Sequence, residues 1–254
     1  MHTDDWFSGV DRRDLLRGGL LLGLAGLVGG CASRAANLPG HQWPGSRPAP
    51  EPVRVATSPQ PAPVRPAPGG YFALPPGVIP RSRWTSQGVI MSRLTANGQN
   101  GRMGTIARIT IHHDALEATG IRTESDAAQR MNLVRNGHIN RRPEGFADIG
   151  YHFVVDPAGR VWEGRPLMYQ GAHVKGQNEQ NVGIMLMGHF DRHRPTAAQV
   201  QTMESFVADL MRRYSIPVSR VRTHQEMAST ECPGRNLQRH LVASRSRGGA
   251  IARA

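Results

Sequence analysis

The pattern of apolar and polar residues predicts β-strands in three segments of the chain. Residues 105–113 (TIARITIHH) alternate and are rich in β-branched side chains, which is typical of a β-strand. Residues 151–164 contain two short runs of this kind around the turn sequence DPAG and predict a β-hairpin. Residues 181–188 (NVGIMLMG) form a continuous apolar run, as expected of a central buried strand. These segments predict a β-sheet.

Two further segments repeat their apolar residues at helical spacing. The sequence TESD has the character of a helix cap, and residues 123–136 continue with apolar positions three and four residues apart. Pro195 and the capping-box pair Thr196 and Gln199 begin a second predicted helix. Its apolar face, which we assign to the core, comprises Val200, Met203, Phe206, Val207, Leu210, Met211 and Tyr214. The pattern predicts an α/β fold: a single domain with a mixed central β-sheet flanked by helices.

The first thirty residues have the pattern of an export signal. Arg12 and Arg13 precede an uncharged run at 18–30, which is shorter than the roughly 20 apolar residues that cross a bilayer. The arginine pair resembles a twin-arginine signal, and LVGGC resembles the lipobox of bacterial lipoproteins, whose cysteine is acylated. We predict a signal at residues 1–30 and a lipid on Cys31. A disordered tail with an incidental cysteine is the alternative.

Amino-acid composition predicts where the linker, the folded domain and the C-terminal tail begin and end. Thirteen of the nineteen prolines fall between residues 39 and 80, in a segment with almost no aliphatic periodicity. Residues 31–80 are therefore predicted to be a lipidated N-terminus followed by a disordered, extended Pro/Ala-rich linker. Residues 244–254 are basic, small and interrupted by glycine, and they predict a flexible tail. Residues 81–243 then form one domain of ordinary size.

The formal net charge of +12 raises the question of a nucleic-acid partner. The distribution of charged residues along the chain answers it. The predicted domain has 21 basic and 14 acidic residues without an evident cluster, and it lacks a recognisable nucleic-acid-binding motif. We predict no nucleic-acid partner. The excess charge is interpreted as a diffuse basic surface that faces an anionic polymer or a membrane. The domain is expected to be monomeric.

Cys232 lies eight residues after His224 and is followed by Pro-Gly. If Cys31 carries lipid, Cys232 has no disulfide partner, although exported proteins usually pair their cysteines. Thiolate and imidazole bind Zn²⁺, and a catalytic zinc site has three protein ligands. His112, on the polar face at the end of the first predicted strand, is the best third candidate, but spacing alone leaves other histidines open. His113 falls on the opposite strand face and is expected to support a ligand or to pack in the core.

Four motifs occur together in the order and spacing of a known family. The sequences ITIHHD, FADIGYHFVVDPAGRVWEGR, QGAHVKGQNEQNVGIMLMG and THQEMASTECPG resemble those of the zinc-dependent N-acetylmuramoyl-L-alanine amidases that share a fold with peptidoglycan recognition proteins. The resemblance covers about residues 79–241. It implies the fold of that family, Zn²⁺ as the cofactor, and His112, His224 and Cys232 as the metal ligands.

The resemblance also implies roles for residues around the metal. Tyr151 in DIGYHF matches a tyrosine that marks catalytic members, and Thr230 matches a position near the reacting carbonyl. His173 in GAH matches a residue that lines the substrate groove, and His113 is a second candidate substrate contact. Asp114 departs from the family pattern, in which a small hydroxyl residue is commoner. Its carboxylate is expected either to hold the first ligand histidine or to face solvent.

These features predict hydrolysis of the amide between N-acetylmuramic acid and L-alanine in peptidoglycan. A peptidoglycan-binding module without catalytic activity, on the same fold, is the alternative. The general base is left unassigned, since the sequence has no HExxH motif and Glu226 is equally well explained as a solvated loop residue. The predicted location is the cell envelope, as a periplasmic lipoprotein. The outer membrane is favoured over the inner because Ala32, and not aspartate, follows Cys31.

Overall fold

A computed structural model describes residues 70–97 and 101–254. The predicted signal, Cys31 and the predicted linker up to residue 69 lie outside these ranges. None of the helices within them combines the length and the apolar composition that a bilayer crossing requires.

Five strands of the described chain form one mixed sheet in the spatial order β3-β2-β4-β1-β5. The strands are β1 (Arg108–His113), β2 (Phe153–Val155), β3 (Val161–Glu163), β4 (Asn181–Leu186) and β5 (Val221–Thr223). The pairs β2–β4, β4–β1 and β1–β5 are parallel, whereas the hairpin pair β2–β3 is antiparallel. The predicted strands and hairpin are confirmed, and β5 was not predicted.

Helices α1 (Glu124–Ile139), α2 (Ala197–Tyr214) and α3 (Arg235–Arg245) accompany the sheet. Both predicted helix starts are confirmed, because the side chains of Thr123 and Thr196 cap α1 and α2 within complete capping boxes. The third helix was missed because its sequence is rich in arginine and has few apolar residues. Short 3₁₀ turns occur at Arg81–Arg83, Met91–Asn97, Val218–Arg220, His224–Glu226 and Ile251–Arg253.

The two faces of the sheet are covered differently. On one, the α2 face, the side chains of Ile109, Ile111 and Ile184 pack in a core that also contains buried residues of α2 and α3. On the other, the α1 face, residues such as Val154, Trp162 and Met185 pack against α1. Alternation along β1 places His112 on the α1 face. Six of the seven predicted core residues of α2, and Trp162, are confirmed as parts of these clusters. Val200 is the exception, because it is only half-buried near the start of α2.

The folded region extends beyond the predicted limits of 81–243. At its start, Tyr71 and Phe72 pack against the main core, and the hydroxyl of Tyr71 accepts a hydrogen bond from the backbone N–H of Ile106 at 2.8 Å. At its end, Ile251 is fully buried in the same core. The prediction of a flexible tail at 244–254 is therefore wrong, since one apolar side chain in a basic segment is enough to pack the chain terminus.

Candidate metal centre

Strand pairing brings two of the predicted ligands together. β1 and β5 are parallel neighbours in which Ile111 pairs with Thr223, so the next residues, His112 and His224, meet at the carboxyl ends of these strands. The centroids of the two imidazole rings are 4.7 Å apart. Cys232 returns to this point through the loop that follows β5.

Hydrogen bonds close this loop on itself. The backbone N–H of Gln225 donates to the carbonyl of Cys232 at 2.8 Å, and the N–H of Cys232 donates to Oγ1 of Thr230 at 3.2 Å. Gly234 then turns the chain into α3 with a φ of +83°, a conformation that favours glycine. This turn leaves the thiol directed at β1, where the backbone N–H of His113 lies 3.4 Å from the sulfur.

The three side chains are close enough to hold a metal ion. One nitrogen of each histidine and the sulfur of Cys232 lie within 4.8 Å of one another, and the sulfur is 3.6 Å from Nδ1 of His112. Typical Zn–N and Zn–S bonds place neighbouring tetrahedral ligands about 3.3–3.6 Å apart. Both histidines are buried and the cysteine is half-buried. Among the described residues, this is the one group of three or more His, Cys, Asp or Glu side chains that could hold a metal ion.

A buried chain of hydrogen bonds assigns the nitrogen that His112 presents to the cluster. Nε2 of His173 lies 3.1 Å from the carbonyl oxygen of Asn181, which can only accept, so this nitrogen carries the proton. Burial, followed by the charges of neighbouring histidines, lowers the pKa of His173 well below its usual value, so its Nδ1 is an acceptor. That Nδ1 lies 3.1 Å from Nε2 of His112, which therefore donates. The free lone pair of His112 is on Nδ1, the atom that faces the thiol.

His173 therefore orients the ring of His112, a candidate metal ligand. The sequence-based interpretation, in which His173 lines a substrate groove, stays a prediction. Its ring lies against the backbone at Gly171 and Gly183, where an added Cβ would come within 2.5 Å of the ring in each case. Glycine is required at both positions for the imidazole to reach this place. The predicted alternative orienting group, Asp114, is elsewhere: its carboxylate pairs with Arg130 at 2.9 Å.

Tyr151 borders the cluster from the segment before β2. Its ring centroid is 5.1 Å from that of His112. Burial raises the pKa of the Tyr151 hydroxyl well above its usual value, and the nearby Cys232 and Asp114 add to this effect. The hydroxyl therefore stays protonated and can donate a hydrogen bond.

Thr230 and His113 were also predicted to lie near the reacting carbonyl or the substrate. Thr230 is half-buried within the ligand loop, where its hydroxyl caps the backbone of Cys232. His113 lies on the α2 face, stacks on Phe190 with ring centroids 6.0 Å apart, and has a pKa lowered to about 4 by burial. Its expected place in the core is confirmed. The substrate contact predicted for His113 stays a prediction, and alternation along β1 places the residue on the face of the sheet opposite to His112.

Glu226 anchors the loop that carries His224. Its carboxylate accepts hydrogen bonds from the guanidinium of Arg245 at 2.5 and 2.9 Å and from the backbone N–H of Thr223 at 2.9 Å. Although partial burial opposes ionisation, the hydrogen bonds from Arg245 lower the pKa of Glu226. This carboxylate is a structural partner of α3. Sequence reasoning missed the pair because Arg245 lies in the predicted tail.

Fold and site together define an α/β domain in which two buried histidines and a half-buried cysteine meet beside a protonated tyrosine. The family model "N-acetylmuramoyl-L-alanine amidase" matches residues 102–235, just over half of the chain. The chain belongs to this amidase family.

Several named proteins are similar to this chain. Peptidoglycan-recognition protein SC2 of Drosophila melanogaster is 27% identical over 161 residues, which cover 63% of this chain and 82% of the relative. The endolysin of Escherichia phage T7 is 35% identical over 103 residues, which cover 39% of this chain and 67% of the endolysin. The solved structure of peptidoglycan recognition protein-LE in complex with tracheal cytotoxin, a monomeric diaminopimelic acid-type peptidoglycan, matches with a TM-score of 0.56 and 28% identity over 65% of this chain and 92% of that one.

Proposed function

We propose that this protein is a zinc-dependent amidase that hydrolyses the bond between N-acetylmuramic acid and L-alanine in peptidoglycan. The observation that carries the proposal is the convergence of His112, His224 and Cys232 beside the buried Tyr151. Membership of the amidase family supports the reaction class. The names of the relatives, which include recognition proteins and endolysins, support peptidoglycan as the substrate class.

Two imidazoles and one thiolate suit zinc better than magnesium or calcium, which prefer oxygen ligands. When bound there, Zn²⁺ would lower the pKa of a coordinated water and polarise the carbonyl of the scissile amide. His112 and His224 supply neutral ligands, and His173 keeps His112 in the tautomer that exposes Nδ1. One thiolate leaves a net charge of +1 on the loaded centre.

The protein side chains then stabilise the charge that develops on the amide oxygen. Tyr151 keeps its proton because burial raises its pKa, so we assign it as a hydrogen-bond donor to that oxygen. The hydroxyl of Thr230, on the ligand loop, is the second candidate donor. Glu226 is not assigned as the general base, because its carboxylate is held by Arg245. The base stays unassigned.

A peptidoglycan-binding module on the same fold is the competing function, since recognition proteins are among the relatives. A module that only binds has no need for a complete ligand set beside a protonated tyrosine. The presence of all three ligand residues and Tyr151 favours catalysis. We further propose that the protein acts as a monomer in the cell envelope, attached through a lipid on Cys31 to the outer membrane.

Digestion of purified sacculi tests the reaction. We expect the wild-type protein to release stem peptides with a free L-alanine amino group, detected by mass spectrometry, and a zinc chelator to abolish the release. Cys232→Ser removes the thiolate and should abolish activity and bound zinc together. His193→Gln is the matched control, because His193 is half-exposed and pairs with Glu117 away from the cluster.

The outcomes separate the two functions. Sacculi that bind the zinc-loaded protein without losing stem peptides would indicate the binding module. Release that persists in chelator or in Cys232→Ser would exclude zinc chemistry at this site.

A further inference from the structure

The outward side of α3 carries arginines that the proposed hydrolysis does not use. The helix buries Leu237, Leu241 and Ser244 against the core. The opposite side therefore presents Arg235, Arg239 and Val242 at positions i, i+4 and i+7, and all three are exposed. Arg247, after the helix, and Arg220, before β5, are also exposed. We name the surface formed by Arg220, Arg235, Arg239, Val242 and Arg247 the α3 patch.

The four arginines of the α3 patch lack acidic partners. Among the described residues, none of them forms an ion pair with a carboxylate, and α3 contains no acidic residue. The carboxylate of Asp191 accepts the backbone N–H of Arg235 at 2.9 Å and is not paired with its guanidinium. By contrast, Arg245 of the same helix is paired with Glu226. The α3 patch therefore has positive charge that the fold itself does not neutralise.

The positions of Arg235 and Arg239 lower the stability of α3. Two arginines four residues apart repel one another. Arg235 also lies in the first turn of α3, at the positive end of the helix dipole, where a cation is unfavourable. Helix stability therefore does not explain these residues, and an external anion would remove both costs.

An apolar feature lies within the same surface. The side chain of Val242 is 46% exposed between Arg239 and Arg247. It lines a shallow depression together with Val218, Ser219, Arg245 and Ser246. Guanidinium groups around an exposed apolar side chain suit the boundary between lipid headgroups and acyl chains, where charge and apolar surface are both satisfied.

The position of the α3 patch suits a membrane that leaves the metal centre accessible. α3 and α2 cover one face of the sheet, whereas His112 lies on the opposite, α1 face. The described chain also begins on the α2 side, since the carbonyl of Tyr71 accepts a hydrogen bond from the hydroxyl of Tyr214 at 3.0 Å. Tyr71, next to the first described residue, therefore lies on the face of the sheet that α2 and α3 cover.

We propose that the α3 patch docks on the anionic lipid headgroups of a membrane surface and turns the metal centre away from it. A lipid on Cys31 would be separated from Gly70 by 38 residues, and a linker of that length can span on the order of 100 Å. Such a tether holds the domain near the membrane without orienting it. The α3 patch supplies the orientation, and this role is independent of whether the amidase reaction occurs.

Vesicle sedimentation of the full chain tests the docking. Cys31→Ser prevents acylation, so that binding reports the protein surface alone. We expect this variant to sediment with phosphatidylcholine vesicles that contain about one-third phosphatidylglycerol, not with pure phosphatidylcholine, and to be released at high ionic strength. Adding Arg235→Glu and Arg239→Glu should weaken the partition coefficient at least about tenfold, since each cation near such a surface contributes about fivefold.

A matched variant controls for net charge. Arg83→Glu with Arg122→Glu reverses two exposed arginines near the start of α1 and should retain vesicle binding. If the α3 double variant fails to fold, as judged by its thermal melt, Arg235→Gln with Arg239→Gln replaces it.

Equal binding to neutral and anionic vesicles, or equal losses in the two charge variants, would overturn the proposal. It would also be overturned if the α3 variants lost binding to isolated sacculi while vesicle binding was unchanged, because the partner would then be an anionic wall polymer.

Discussion

At the scale of single residues, hydrogen bonds decide which atoms of the metal centre are available. The chain from Asn181 through His173 to His112 fixes two tautomers in succession, because its first member is a carbonyl that can only accept. His173, which the sequence-based interpretation placed in a substrate groove, is bonded in the structure to His112, a candidate metal ligand. Partners of this kind commonly change metal affinity when they are replaced.

Replacing His173 should weaken zinc binding. Without the acceptor for Nε2–H, His112 loses its fixed ring orientation, and we expect His173→Ala to lower zinc affinity about 10- to 100-fold. Competition with a chromophoric chelator measures this affinity, and His193→Gln should leave it unchanged. An unaltered affinity in a folded His173→Ala protein would show that the hydrogen bond does not position the ligand.

Replacing Tyr151 should separate catalysis from metal binding. Tyr151→Phe removes the hydroxyl and keeps the ring beside His112, so zinc content should be unchanged. If the hydroxyl donates to the developing oxyanion, kcat on soluble muropeptides should fall by about 10²- to 10³-fold, as for other donors of this type. A variant with normal kcat would exclude this role.

At the scale of the elements, α1 is coupled to the segment that carries Tyr151. His138, near the end of the helix, accepts a hydrogen bond on Nδ1 from the backbone N–H of Gly150 at 2.8 Å. Burial, with smaller effects from Arg165 and Arg141, lowers the pKa of His138 to about 3. The native state therefore excludes a proton that the unfolded chain binds below about pH 6.5.

This coupling predicts a pH-dependent stability. Since the unfolded state binds more protons, stability is complete above about pH 6.5 and falls as the pH is lowered towards 3, by up to about 1.4 kcal/mol per pH unit for this histidine. We expect urea unfolding of the metal-free protein to show a shallower pH dependence in His138→Gln, in which the amide oxygen can still accept from Gly150. Parallel curves for the two proteins would contradict a neutral, buried His138.

At the scale of the whole molecule, the sheet is covered by helices on one face and only partly by a helix on the other. Beside α1, the polar side chains of β1 meet the ligand loop, where the hydroxyl of Thr110 lies 3.1 Å from the sulfur of Met227. The metal centre occupies this loop-covered part. The chain terminus packs on the opposite face and stabilises α2 and α3 there.

The packed terminus predicts a stability effect far from the metal centre. Ile251 is fully buried in the main core, so Ile251→Ala should lower the free energy of unfolding by about 2–4 kcal/mol. Arg253→Ala, at an exposed position two residues later, is the matched control and should change it little. Equal melting temperatures for the wild type and both variants would restore the flexible-tail interpretation.

The sequence by itself determined the elements that have strong local signals. The alternation at β1, the apolar run at β4 and the capping boxes of α1 and α2 depend on neighbouring residues, so they can be recognised without a fold. The residue types of the candidate metal centre were also recognisable, since a cysteine, a histidine eight residues before it and a histidine at a strand end are chemically distinctive.

Only the tertiary structure decided how these parts meet. Parallel pairing of β1 with β5 brings His112 to His224 across 112 positions of sequence, and no local pattern encodes that distance. Contacts between distant segments also determine which ring nitrogens of His112 and His173 carry protons. They likewise determine the pairing of Glu226 with Arg245 and the burial of Ile251. Each depends on a contact between distant segments, whose free energy is available only after the chain has paid the entropy of bringing them together.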